Sequence, residues 1–103
     1  MKNKENFSIS HKILDFMTKR EELEKAFNNF KSNNLKDTEL LDSLISNASV
    51  LKDNGAYLLK EDISKEEYDR INLNIMYVEE IEEKMKKYRF ILDESLGDFS
   101  RKF

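Results

Sequence analysis

The chain of 103 residues has no cysteine and no proline, two glycines and a single histidine. Without cysteine, neither a disulfide scaffold nor a thiolate metal site is available. One histidine, no glycine-rich phosphate loop and no serine in a nucleophile-elbow context leave no catalytic constellation, so the chain reads as non-enzymatic and free of cofactors. No apolar run approaches the ~20 residues needed to span a bilayer. The opening Met1-Lys2-Asn3-Lys4-Glu5-Asn6 leads into amphipathic, charge-punctuated sequence rather than the apolar core of a signal peptide. A cytoplasmic protein is therefore expected, with leaderless export left open and no membrane partner. The missing prolines, with Gly55 and Gly97 as the only glycines, remove the usual breakers and permit very long helices.

Hydrophobic residues make up 39% of the chain and charged residues 38%. Their order is helical. Steps of seven from Ile9 meet Phe16, Leu23, Phe30, Asp37, Leu44 and Leu51, and the same steps from Ile13 meet Arg20, Phe27, Asn34, Leu41 and Ala48. A second stripe alternates steps of three and four through Ile71, Ile75, Val78, Ile81, Met85, Tyr88, Leu92, Leu96, Phe99 and Phe103.

Residues 1–7 are polar apart from Phe7 and read as a flexible N-terminus, with Ser8 or Ser10 placed to cap the first helix. The register carried from Ile9 to Leu51 favours one helical arm over 9–53. A kink at 33–38 is the alternative, because Asn33, Asn34, Asp37 and Thr38 compete for local backbone bonds, and Asp37 or Thr38 is a helix starter. Asn54-Gly55 reads as the stop, since both residues tolerate the left-handed backbone that ends a helix, and 54–63 as the turn. Ser64 and Glu67 form a capping box with Ile63 and Tyr68 as its staple, opening a second arm over 64–99 that Gly97 closes. The expected fold is all-α: a long antiparallel helical hairpin in one domain, which a kink at 33–38 would turn into a three- or four-helix bundle.

A stripe this long offers apolar area to a helix of another protein or to a second copy. Phe16, Leu23, Phe27, Phe30, Ile75, Val78, Met85 and Leu92 are its strongest contributors. Off the stripe lie Phe7, Leu14, Met17, Leu35, Met76, Tyr77, Phe90 and Ile91, residues that usually mark a third helix or another chain. Arg20, Asn34, Asp37, Glu82 and Arg89 interrupt the apolar seams. Such groups either fix register and partner, or sit where the seam drifts out of contact.

The acids are concentrated over 61–83 and the bases over 84–102, within a net charge of -3. Glu79, Glu80, Glu82 and Glu83 form an acidic run that supports a competing reading, a compact inhibitor or immunity protein covering a basic site. A metal centre does not follow from them, because no histidine stands three residues after a glutamate. Lys84-Met85-Lys86-Lys87-Tyr88-Arg89 interleaves bases with an aromatic, but the net negative charge and the adjoining acids oppose nucleic-acid binding.

In outline the chain resembles the small helical-hairpin partner and targeting proteins of type VII secretion. The glycine of Asp53-Asn54-Gly55 stands in the central turn, where that family carries Trp-x-Gly; the tryptophan is absent. Phe90-Ile91-Leu92-Asp93-Glu94 matches the family's aromatic followed by an acid four residues on. The resemblance implies a helix-bundle complex with a helical segment of a partner toxin, with Phe90 and Glu94 presented to the secretion machinery.

Overall fold

The structure, a computed structural model, describes residues 2–33 and 36–101, and side chains over 9–33 and 36–94. Three helices follow one another: α1 (Lys2–Asn33), α2 (Thr38–Leu58) and α3 (Lys65–Arg101). No strand occurs among the described residues. The first arm is therefore two helices. Asp37 begins the second, its carboxylate accepting from the Leu40 N–H at 3.0 Å and so satisfying a donor that a helix start leaves free. Ile9 and Leu51 both pack on the one core, although the chain reverses between their helices.

The stop expected at Gly55 does not occur. Neither Asn54 nor Gly55 has positive φ, and α2 continues to Leu58, so the turn covers 59–64 rather than 54–63. Gly55 is instead a buried crossing point. A Cβ there would stand 2.7 Å from Ile75 Cγ1 and 2.9 Å from Phe16 Cζ, so the missing side chain lets α1 and α3 close on α2. The capping box forms as its spacing predicts: the Glu67 N–H donates to Ser64 Oγ, and the Ser64 N–H donates to Glu67 Oε1, each at 3.1 Å. Ile63 packs against the core while Tyr68 stays exposed. Helix α1 begins at Lys2, ahead of the expected Ser8 or Ser10 cap, and α3 runs through Gly97 to Arg101. Asn34 and Leu35 lie outside the described residues, as do the side chains of Phe7, Leu96, Phe99 and Phe103.

The three helices form an up-down-up bundle with principal extents of 66 × 20 × 18 Å. Arg20 against Asn74 and Phe27 against Tyr88 match α1 to α3 in parallel, whereas Lys52 against Glu82 and Asp42 against Arg89 match α2 to α3 in antiparallel. Phe16, Leu23, Phe27 and Phe30 from α1 and Leu41, Leu44, Ala48 and Leu51 from α2 close on Ile71, Val78 and Met85 of α3. Tyr88 sets its ring edge against Phe27 and Phe30, at centroid distances of 5.8 and 6.4 Å.

Candidate interaction surface

The stripe expected to receive a partner is the bundle's own interior. Phe16, Leu23, Phe27, Phe30, Val78 and Met85 are buried, and Ile75 and Leu92 are half-buried against them. The physical reason is the reversal of direction between α1 and α2. It folds α1 back along α2, so the core-facing stripe of each helix is covered by the other two, and the six buried residues offer nothing to another chain while the bundle is closed.

The polar residues of the seam are tied across helices. Arg20 Nε donates to Asn74 Oδ1 at 2.9 Å, Asn74 Nδ2 donates to the Arg70 carbonyl at 2.7 Å, and the guanidinium lies 5.4 Å from the Tyr77 ring centroid. Lys52 Nζ meets Glu82 Oε1 at 2.6 Å; Glu82 is only 7% exposed. That hydrogen bond, acting against desolvation, holds the Lys52 ammonium above the usual lysine value. Arg89 bonds Asp42 at 2.7 Å and also Asp93, and the Asp42 bond raises the guanidinium further. Asn74, Lys52 and Asp42 are the partners that sequence reasoning missed. A seam position gives no sign of which polar side chain on another helix stands opposite it. Asp37 is a cap and not a seam residue.

The acidic run divides. Glu79, Glu80 and Glu83 are exposed, whereas Glu82 turns inward to Lys52. Among the described residues, no group of three or more His, Cys, Asp or Glu is placed to hold a metal ion. In the basic segment Met85 is buried, Tyr88 is packed on phenylalanines and Arg89 is held by two carboxylates, so Lys84, Lys86 and Lys87 are its outward groups. No helix among the described residues is long and apolar enough to cross a membrane.

What faces outward is the back of α3. Leu73 is 47% exposed, Met76 55%, Tyr77 42%, Phe90 65% and Ile91 57%. Leu73 and Ile91 are eighteen residues apart, five whole turns, and so stand on one line down the helix. Met76, Tyr77, Phe90 and Ile91 are among the residues that fell off the principal stripe. Glu94 is exposed one turn beyond Phe90. Among the described residues of the other helices the exposed large apolar side chains are Leu14 on α1 and, two turns apart on α2, Val50 and Tyr57, against the five on the back of α3. The surface is thus a helix face with apolar ends and a charged middle. No family model matches the chain, and neither the curated proteins nor the solved structures offer a similar one.

Proposed function

We propose that this chain is a non-enzymatic interaction protein that docks a helix, from another protein or from its own copy, on the outward face of α3. The observation that carries this reading is the alignment of Leu73, Tyr77 and Ile91 in solvent, with Met76 and Phe90 beside them. A core-facing stripe accounts for none of these side chains. Covering one such side chain fully is worth about 1.5–3 kcal/mol, enough for a few of them to hold a partner once association entropy is met. Phe90 and Glu94, on which the likeness to type VII secretion partners rests, share this helix and are accessible. The inhibitor reading keeps Glu79, Glu80 and Glu83, but Glu82 is neutralised internally and Lys84, Lys86 and Lys87 follow at once.

The test is photo-crosslinking in cells that naturally carry the protein. A photoreactive side chain is placed at Leu73, Met76 or Ile91, at Glu79 or Glu83, and at Glu22 and Ser46 as controls on α1 and α2. Discrete protein adducts from 73, 76 and 91 are expected. Adducts confined to 79 and 83 would transfer the reading to the acidic-face inhibitor, and equal labelling from all three helices would end it.

A further inference from the structure

The outward face of α3 has a symmetry that its exposure alone does not require. From Arg70 to Glu94 its positions follow steps of three and four that read the same from either end, centred level with Glu82. This is the spacing of a coiled-coil seam, and it lies on the side of the helix opposite Ile71, Val78 and Met85. Every one of its eight side chains is exposed.

Inverting the helix about that centre brings Leu73 opposite Ile91 and Arg70 opposite Glu94. The same inversion sets Glu80 opposite Lys84 and Tyr77 opposite Lys87. Apolar meets apolar, acid meets base, and a ring meets an ammonium, each twice by symmetry. Parallel pairing in the same register would instead stack Glu80 on Glu80 and Lys84 on Lys84. A surface shaped for an unrelated partner has no reason to be complementary to its own inverse.

We propose that the helix docked on α3 is α3 of a second copy of this chain, running antiparallel about a two-fold axis level with Glu82. This inference rests on the reading of α3 as a docking face and names its occupant. Met76 and Phe90, each one residue before Tyr77 and Ile91, widen the apolar ends of the contact. The centre is ionic, and ionic layers are weaker than apolar ones and screened by salt, so the dimer is concentration-dependent and loosens as ionic strength rises.

Because the chain has no cysteine of its own, orientation is open to a direct test. Leu73→Cys and Ile91→Cys chains are purified separately, mixed and mildly oxidised. Disulfide-linked dimer is expected from the mixture only. In the antiparallel pair, identical positions lie about 27 Å apart, far beyond disulfide reach. Charge exchange supplies the second arm, by sedimentation at low salt with circular dichroism confirming the fold. Glu80→Lys and Lys84→Glu should each weaken self-association about tenfold, and an equimolar mixture of the two should associate more tightly than either alone. Cross-linking of Leu73→Cys with itself, no product from the mixture, or no gain on mixing the charge variants would overturn the proposal. If these fail while Leu73, Met76 and Ile91 still give adducts in cells, the occupant is a different protein and the docking reading stands. If those adducts are absent too, both fall.

Discussion

Replacing Gly55 by alanine sets two effects of opposite sign against each other, and their balance reports whether this glycine is a crossing point or a turn. Alanine favours a helix interior over glycine by about 1 kcal/mol. Against that, the new Cβ would meet Ile75 Cγ1 at 2.7 Å, Ile75 Cδ1 at 2.9 Å and Phe16 Cζ at 2.9 Å. Side chains from two different helices must then give way together, and overpacking of this kind costs about 1–3 kcal/mol. The expected outcome is a net loss of about 1 kcal/mol. In an Ile75→Ala background both isoleucine contacts vanish and Phe16 has room to tilt, so Gly55→Ala should there stabilise by about 1 kcal/mol. The sign changes, and the coupling is about 2 kcal/mol. Urea unfolding of the four proteins, analysed by linear extrapolation, reads both numbers. A coupling within about 0.5 kcal/mol of zero would refute the reasoning. An equal loss in both backgrounds is what a left-handed stop residue would produce, since its penalty is set by the backbone and not by Ile75.

Glu82→Ala should cost about 1–2 kcal/mol in denaturant titration, less than a fully buried pair, because the Lys52 side chain is 29% exposed and keeps part of its water. Restoring shape without charge through Lys52→Met with Glu82→Leu should recover that loss. The same pair predicts a pH dependence. Since the native Lys52 value is raised, its stabilisation is complete below the unfolded value near pH ~10.4 and is lost as pH climbs through the higher native one. The stability difference between the wild type and Glu82→Gln should therefore be flat through neutral pH and shrink in strong alkali; a difference that grows there would contradict the assignment. Asp37→Ala removes the bond to the Leu40 N–H and should lower stability by about 1 kcal/mol, a fall of about 4–8 °C in Tm, with Asp37→Ser recovering most of it.

Local chemistry was legible before any coordinate. Helical class follows from the absence of proline and from spacing, because backbone hydrogen bonding and side-chain periodicity act over a few residues. The Ser64–Glu67 box follows for the same reason, and so does the membership of the buried stripe. What covers that stripe did not follow. Asn33 to Thr38 signalled a weak point, but whether a weak point bends or reverses depends on how much area α1 and α2 bury by folding together, which no single helix encodes. Gly55 shows the same divide. A glycine ends a helix or admits a close neighbour with equal ease, and only the positions of Phe16 and Ile75 on the other two helices decide between them. The α3 surface was half visible, since Met76, Tyr77, Phe90 and Ile91 stood off the core register. Its outward aim was settled when the bundle closed, because exposure belongs to the packed assembly of helices and not to any one of them.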